Sequence, residues 1–333
     1  MKPNIKDIAR LAGVSPTTVS RVMNNRGYIS EKTRKKVNQA MKELNYFPNE
    51  LARSLYHQRT RFIGLIFPTI SNPFFGELVF HIENICASMG YKVLLCNSLD
   101  RVDKERSYLE MLQRNQVDGI IVGAHNRHIS EYQSIDLPIV AIDRYLSERI
   151  PVVASDNFQG GILATRWLID QGCRHIIHIN GPRKLETPAN RRRDGYERTI
   201  EEHGRIPLTY EIPKSLIYHE NVKTVRKIFA ERPEVDGIFA SDDLLAATVI
   251  SEAKKCHKPD LKVVGYDGTE TVRICLPQLT TIKQPIHEIA ETAVQLLVAQ
   301  KNNEMTDRKK EIILPVELVE GRVQAGPNNI EDS

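Results

Sequence analysis

With 333 residues the chain exceeds one ordinary domain, and two or three folding units are expected. Its composition, 41% hydrophobic and 26% charged, suits a globular core with a soluble surface. No stretch approaches the ~20 consecutive apolar residues of a membrane helix, and the charged, interrupted first twenty residues are unlike a signal peptide. Five scattered cysteines without a C-x-x-C pair indicate buried free thiols rather than a metal site. We therefore expect a cytoplasmic protein with no membrane partner, no cofactor and no metal.

Charge is distributed unevenly along the chain. Residues 1–60, which we call the head, hold twelve Lys and Arg against four Asp and Glu, a net charge of +8. Because the whole chain carries +4, residues 61–333, the body, sum to −4. A basic segment on an acidic remainder is expected when a phosphate-binding module is fused to a second kind of domain.

The head contains three predicted helices. Their apolar faces are Ile5, Ile8, Ala9 and Ala12 in the first, Val19, Val22 and Met23 in the second, and Val37, Ala40, Met41 and Leu44 in the third. Gly13 follows the first helix as a left-handed C-cap, Ser15 and Pro16 supply the N-cap and first position of the second, and Ser30 caps the third. Three short helices with a tight glycine turn between the first two predict a helix-turn-helix unit.

The second predicted helix exposes polar residues opposite its apolar face. These are Thr17, Thr18, Ser20 and Arg21. Hydroxyl groups and an arginine suit base edges and phosphates in a DNA major groove. An ordinary three-helix bundle with a polar surface fits the same spacing, and the pattern alone leaves both interpretations open.

From Phe62 onward the pattern changes to short apolar runs separated by amphipathic stretches. One series of strands is predicted at 62–67, 91–96, 119–122, 139–142 and 152–154, and a second at 176–179, 216–218, 237–240 and 263–265. Leu78, Ile82, Ile85 and Met89 mark the first helix between strands. Strands alternating with helices predict parallel sheets covered on both faces, and two such series predict two similar lobes.

Polar residues recur where these strands end, the edge at which open parallel sheets bind ligands. They are Asp143-Arg144, Ser155-Asp156-Asn157, Asn180-Gly181, Ser241-Asp242-Asp243 and Tyr266-Asp267. Aspartates that accept paired hydrogen bonds from vicinal hydroxyls, with an aromatic ring against the sugar, make a carbohydrate site. For any single aspartate, a turn or a helix cap is the alternative.

Two other classes of protein are disfavoured. An enzyme using Asp143 or Asp243 as acid or base would lack a nucleophile, a metal and a phosphate loop, since G-x-S-x-G, G-x-x-x-x-G-K-[ST] and G-x-G-x-x-G are all absent. A transport receptor is disfavoured by the missing signal peptide and by the helix-turn-helix head.

Residue identities add a resemblance. IKDIARLAGVS at 5–15, TVSRVMN at 18–24, YFPN at 46–49 and ARSL at 52–55 closely resemble the lactose/galactose repressor family, above all its sucrose- and ribose-operon regulators. The resemblance implies a DNA-binding head over 1–48 and a hinge helix and linker over 49–60, with Leu55 inserted into the minor groove. The implied DNA-contacting residues are Ser15, Pro16, Thr17, Thr18, Ser20, Arg21, Asn24, Tyr28, Asn49, Ala52, Arg53 and Leu55. Because Pro16 cannot donate a hydrogen bond, Thr17 and Arg21 are expected to read bases, with Ser15, Thr18 and Ser20 on phosphates.

The resemblance extends over nearly all of the body, through DNFQGG at 156–161, DLLA at 243–246, VVGYDG at 263–268 and LTTIKQ at 279–284. It implies a periplasmic-binding-protein-like effector and dimerisation domain over 61–326. Lobe 1 would cover about 61–156 and 285–313, lobe 2 about 157–284 and 314–326, and a disordered tail 327–333. The implied effector contacts are Asn72, Phe74, Asp143, Arg192, Tyr218, Asp243 and Gln284. Arg191 or Arg193 replaces Arg192 if their helix rotates differently, and Tyr218 follows a loop of variable length.

The sequence thus predicts an all-α helix-turn-helix head joined to an α/β body of two doubly wound parallel-sheet lobes. We expect a non-enzymatic repressor of a sugar operon that binds double-stranded operator DNA and is released by a sugar or sugar phosphate. A homodimer is expected and not a tetramer, because the segment after Val323 is too short and polar for the coiled coil of the family's tetramers. Helix 74–89 is expected to contribute to the dimer interface. A corepressor-dependent regulator and a sugar-binding protein without DNA control remain alternatives.

Overall fold

The computed structural model describes residues 3–46, 60–124, 126, 129–184, 188–212, 218–302, 304 and 311–322. The chain divides into two compact units, 1–60 and 61–333. The predicted hinge helix and the predicted C-terminal tail lie outside the described residues.

The three predicted helices of the head are confirmed as α1 (Ile5–Ala12), α2 (Pro16–Met23) and α3 (Glu31–Glu43). Gly13 ends α1 in the left-handed region at φ 66°, which a glycine adopts without strain. The Ser15 hydroxyl accepts the Thr18 amide at the start of α2, and the Ser30 hydroxyl accepts the Thr33 amide at the start of α3. The buried core of the unit consists of Ile8, Ala9, Ala12, Val19, Val22, Val37 and Ala40. This core fixes α2 with its polar face toward solvent.

The body alternates strands and helices. In chain order its elements are β1 (Phe62–Phe67), α4 (Pro73–Ser88), β2 (Lys92–Asn97), α5 (Val102–Arg114), β3 (Gly119–Val122), α6 (Glu131–Ser134), β4 (Ile139–Ile142), β5 (Val152–Ser155), α7 (Asn157–Asp170), β6 (Ile176–Asn180), a 3-10 turn (Pro188–Asn190), α8 (Arg191–Glu202), β7 (Thr209–Glu211), α9 (Tyr218–Glu231), β8 (Gly237–Ala240), α10 (Asp243–Lys255), β9 (Lys262–Asp267), α11 (Glu270–Cys275), β10 (Thr280–Lys283), α12 (Ile286–Lys301), β11 (Glu311–Leu314) and β12 (Glu317–Val319).

Two six-stranded sheets organise these elements into two lobes. Lobe 1 has the strand order β11-β5-β4-β3-β1-β2, and lobe 2 has the order β12-β10-β9-β8-β6-β7. The described strand pairs are parallel, except that β12 runs antiparallel to β10. The chain passes between the sheets three times, after β5, after β10 and after β11.

Burial explains why these strands form the centre of each lobe. Central strands such as β3 and β4 are apolar at every position and completely buried, as expected for a sheet covered on both faces. In lobe 1, α4 and α12 pack on one face and α5 on the other. In lobe 2, α9 and α10 cover one face and α7 and α8 the other. The predicted doubly wound architecture is confirmed.

One predicted strand is not found where it can be checked. Of residues 216–218, the first two lie outside the described residues and Tyr218 begins α9, while the strand at the edge of lobe 2 beside β6 is β7. The three residues of β7 are only partly buried, so they carry no apolar run that a sequence pattern could detect. The short strands β11 and β12 are also absent from the predicted series, although β11 contains the apolar run Ile312-Ile313-Leu314.

The cysteines only partly follow the expectation of burial. Cys86, Cys96 and Cys173 are buried free thiols, whereas Cys256 and Cys275 are exposed. In the described part of the chain, no helix combines the length and apolarity needed to cross a membrane.

Helices α7 and α8 approach each other through glycines. A Cβ atom on Gly161 would overlap the carbonyl oxygen of Arg192, and one on Gly195 would overlap that of Phe158. Because both obstacles are backbone atoms, they cannot move aside as a flexible side chain would. The close approach places the first turn of α8, with its three arginines, beside the start of α7.

Substituting Gly195 by alanine should therefore destabilise lobe 2. We expect Gly195→Ala to lower the free energy of unfolding by about 1–3 kcal/mol, the usual effect of overpacking. Gly181→Ala is the matched control, because a Cβ at Gly181 meets no atom within 4 Å. Urea unfolding followed by circular dichroism measures both variants, and equal midpoints would contradict the close packing of α7 on α8.

Candidate functional site

The polar face of α2 is the first candidate site. Thr17 and Arg21 are exposed and lie four residues apart, on one side of the helix. The hydroxyl oxygens of Ser15 and Thr18 lie 2.9 Å apart at the N-cap, and the Asn24 side-chain amide donates to the Ser20 hydroxyl at 3.3 Å. Ser15, Thr18 and Ser20 are thus held at the helix surface by local hydrogen bonds, while Thr17 and Arg21 extend from it.

The other predicted DNA contacts divide into two groups. Pro16 begins α2 and is exposed, and the ring of Tyr28 is 99% exposed after that helix. Asn49, Ala52, Arg53 and Leu55 lie outside the described residues.

The second candidate site lies at the junction of the two lobes, where the carboxyl ends of strands from both sheets meet. Its polar side chains, with exposed fractions of 2–8%, are Asp143, Ser155, Asn157, Arg192, Asp243, Asp267 and Gln284. We call this set the junction cluster. Four of its members, Asp143, Arg192, Asp243 and Gln284, are predicted effector contacts.

Arg192 is the cation of the junction cluster. Its Nε donates to Asn157 Oδ1 at 2.7 Å, and its Nη1 donates to the Ser241 carbonyl at 2.6 Å. The guanidinium carbon lies 3.5 Å from the centre of the Tyr266 ring, a close cation–π contact. These contacts use two of its five N–H bonds, since an arginine has five donors in a fixed plane.

The neighbouring arginines are directed elsewhere. Arg193 forms ion pairs with Glu197 at 2.6 Å and Glu211 at 3.0 Å, and Arg191 lies over the Phe158 ring at 5.4 Å. Of the three arginines that open α8, Arg192 is the one in the cluster.

Three carboxyl groups belong to the same cluster, and each accepts hydrogen bonds from groups other than Arg192. Asp143 accepts the Asn157 amide at 3.2 Å, Asp243 accepts the Thr281 hydroxyl at 2.6 Å and the Gly268 amide at 2.8 Å, and Asp267 accepts the Gln284 amide at 2.7 Å. Burial raises the pKa of Asp143 to about 6 and that of Asp243 to about 7, although Arg192 acts in the opposite direction. Burial also raises the pKa of Asp267 well above its usual range. When ionised, the three carboxyl groups supply six acceptor oxygens, an arrangement suited to a ligand with hydroxyl groups.

Two amide side chains connect the lobes inside the cluster. Asn157 donates to Asp143 of lobe 1 and accepts from Arg192 of lobe 2. Gln284 accepts from Ser155 at the end of β5 at 2.7 Å and donates to Asp267 at the end of β9. A change in the angle between the lobes must alter these bonds, because each amide bonds to one group from either lobe.

A further contact joins the lobes away from these amides. The Glu77 carboxylate on α4 of lobe 1 accepts the backbone amide of Glu270, the first residue of α11 in lobe 2, at 2.8 Å. The N-terminal half of α4 therefore borders the junction of the two lobes.

The other predicted effector residues have different surroundings. Asn72 is the N-cap of α4, accepting the Phe74 amide at 2.9 Å. Phe74 packs in the core of lobe 1, edge to face with Phe75 at 5.2 Å. Tyr218 begins α9, and its side chain lies outside the described residues.

Helix caps account for two of the aspartates found at strand ends. Asp156 accepts the Gln159 amide at the start of α7, and Asp242 accepts the Leu245 amide at the start of α10. From the sequence, Asn157 and Asp267 are predicted only to follow strands, with no contact to the effector. The structure places both in the junction cluster. Among the described residues no group of three or more His, Cys, Asp or Glu side chains could hold a metal ion.

Comparison with known proteins identifies the family. The model of bacterial regulatory proteins of the lacI family matches residues 4–49, and that of a periplasmic binding protein-like domain matches residues 165–322. The sucrose operon repressor of Pediococcus pentosaceus is 47% identical over 324 residues, covering 96% of this chain and 99% of that repressor. The ribose operon repressor of Halalkalibacterium halodurans is 41% identical over 334 residues, covering 99% of each chain.

A solved structure agrees with these relatives. The crystal structure of the lac repressor dimer bound to operator and the anti-inducer ONPF superposes with a TM-score of 0.82 at 25% identity, over 96% of this chain and 98% of that one. Similarity at this level along nearly the whole length confirms the resemblance carried by the sequence motifs, and the chain belongs to the lacI family of bacterial regulatory proteins.

Proposed function

We propose that this protein is a sequence-specific DNA-binding repressor of a sugar-utilisation operon, released from its operator when a small sugar binds between the two lobes. The observation that carries the proposal is the combination, in one chain, of an exposed Thr17–Arg21 face on a helix-turn-helix and a buried, acceptor-rich cluster between two sheets. The sucrose and ribose operon repressors that it resembles support the choice of a sugar.

In this proposal the head reads the operator through α2. Thr17 and Arg21 contact base edges in the major groove, and Arg21 suits a guanine, whose two acceptors match a guanidinium. Phosphate contacts fix the register of the helix on the duplex. They come from residues around Pro16 and after it, namely Ser15, Thr18, Ser20, Asn24 and Tyr28. The hinge helix, with Asn49, Ala52, Arg53 and Leu55, pairs on DNA with the hinge helix of the second subunit. Leu55 inserts from the minor groove between two neighbouring base pairs.

The sugar binds at the junction cluster. Asp143 of lobe 1 and Asp243 of lobe 2 accept hydrogen bonds from its hydroxyls, and the remaining N–H groups of Arg192 donate to its oxygens. Gln284, Asn72, Phe74 and Tyr218 complete the site. A ligand that bonds to both lobes favours one angle between them, and this differential affinity is what couples it to DNA binding. The proposal assigns no catalytic step to any of these residues.

The repressor acts as a homodimer, with α4 in its interface, on a pseudo-palindromic operator. The lac repressor structure that superposes on this chain is a dimer on its operator. A dimeric mass in solution at micromolar concentration is the expected measurement, and a tetrameric mass would contradict it.

Replacing Arg21 should relax the sequence preference of the head. We expect Arg21→Ala to lose about 1–3 kcal/mol of discrimination at one operator position, because the bidentate contact to one base disappears. Arg10→Ala is the matched control: it removes an equal charge from α1, where Arg10 pairs with Asp7. Binding is measured on DNA selected from a random pool by the unaltered protein and on its single-base variants. An unchanged preference in Arg21→Ala would exclude this residue as a base reader.

Removing the charge of Asp143 should uncouple the protein from its sugar. We expect Asp143→Asn to lower sugar affinity by about 1.5–3 kcal/mol through the loss of charge-assisted hydrogen bonds, while operator affinity without sugar is unchanged. Asp170→Asn, at the exposed end of α7, is the control. Calorimetry with sucrose, D-fructose, D-ribose and their phosphates gives the affinities. A sugar that strengthens operator binding would instead establish the corepressor alternative.

Sugar affinity should also depend on pH. Because the pKa values of Asp143 and Asp243 are about 6 and 7, both carboxyl groups hold protons at pH 5 and lose them by pH 8. Only the ionised forms accept hydroxyl donors at both oxygens, so affinity should rise from pH 5 to pH 8 with release of protons on binding. The rise should be smaller in Asp143→Asn. Affinity that is constant or falls over this range would show that the carboxylates are not the acceptors.

A further inference from the structure

A completely buried carboxylate lies in lobe 1, outside the junction cluster. Glu105 on α5 has no exposed surface. It accepts the Tyr132 hydroxyl at 2.6 Å, the Asn126 side-chain amide at 2.6 Å and the Arg144 guanidinium at 3.1 Å. A buried ion pair is weak evidence for stability, because apolar residues of similar volume often serve as well. Its presence here therefore calls for a role other than stability.

Arg144 connects two loops at the ligand-binding edge of the sheet. Its guanidinium donates to the carbonyl oxygens of Ala124 and Asn126 as well as to Glu105. It also lies 5.6 Å from the centre of the Tyr132 ring. The residues following β4 are thereby tied to the segment following β3 and, through Glu105, to α5.

The residue held in place by this anchor is Asp143, the immediate neighbour of Arg144. Asp143 has a φ of 49°, in the left-handed region that residues with a side chain adopt uncommonly, aspartate more readily than most. Contacts hold the residue on both sides. Here the anchored Arg144 fixes the backbone on one side, and the Asn157 amide holds the carboxylate on the other.

We propose that Glu105 and Arg144 are positioning residues for sugar binding, which hold the Asp143 carboxylate toward lobe 2 in the geometry that receives a sugar hydroxyl. Neither residue contacts the sugar. The inference rests on the proposed role of Asp143 in the sugar site. It extends that site by a second layer that runs from α5 through Arg144 to the end of β4.

A double-mutant cycle on the full-length protein tests the inference. The probe is whichever of sucrose, D-fructose, D-ribose or their phosphates gives the strongest calorimetric binding to the unaltered protein. We expect Glu105→Gln to weaken binding at least tenfold and Tyr132→Phe, which removes one bond to Glu105, to weaken it several-fold. Tyr210→Phe is the matched control, because the Tyr210 hydroxyl donates to Glu231 at an exposed place in lobe 2. It should bind sugar like the unaltered protein.

The decisive readout is the effect of the same changes when Asp143 is already asparagine. If Glu105 acts by placing the carboxylate, Glu105→Gln should cause little further loss in the Asp143→Asn background, since contacting residues in one network are not additive. An equal loss in both backgrounds would overturn the inference and leave the proposed sugar site intact. If Asp143→Asn alone has no effect on binding, the sugar site and the inference both fail. Should Glu105→Gln not fold, as thermal unfolding would reveal, Tyr132→Phe completes the same cycle.

Discussion

A single guanidinium group, that of Arg192, is the cation among the buried carboxyl groups where the two lobes meet. Burial raises the pKa values of Asp143, Asp243 and Asp267, and Arg192 opposes that rise at each of them. The guanidinium can act on all three because it is immobilised by Asn157, by the Ser241 carbonyl and by the Tyr266 ring. The close approach of α7 and α8, which only glycine permits at 161 and 195, places it there. The geometry of the junction cluster thus depends on the backbone packing of α7 against α8 directly beside it.

Inside the junction cluster the two side chains that bond to groups of both lobes are amides, and their chemistry explains the choice. An amide presents a donor at one atom and an acceptor at the other, so Asn157 and Gln284 can each serve two different partners across the junction. A carboxylate at either place would face Asp143 or Asp267 with like charge. A residue that has only donors could not accept the bonds that Arg192 and Ser155 donate to these amides.

Local patterns predict much of this structure, and long-range contacts account for the remainder. Ser15, Pro16 and Gly13 identify the ends of α1 and α2 because capping depends on nearest neighbours. The strand-end rule locates Asp143 and Asp243 because all parallel strands share one ligand-binding edge. The rule does not distinguish Asp242 from Asp243, since either aspartate could cap α10. The backbone decides, because the extended Asp242 caps the helix and Asp243 is its first residue. No local pattern reveals that Glu105 meets Arg144, 39 residues away.

The contact of Glu77 with the backbone of Glu270 gives α4 a mechanical role. Because the acceptor carboxylate bonds to a main-chain amide, the contact is independent of the side chain at position 270. The sixteen residues of α4 span roughly 24 Å at 1.5 Å per residue. Asn72 caps its N-terminus, Phe74 in its first turn packs in the core of lobe 1, Glu77 follows, and Phe80 is 62% exposed further along. The contact thus links the start of α11 in lobe 2 to a helix that packs in the core of lobe 1, so a shift of α11 relative to lobe 1 must strain or break this bond.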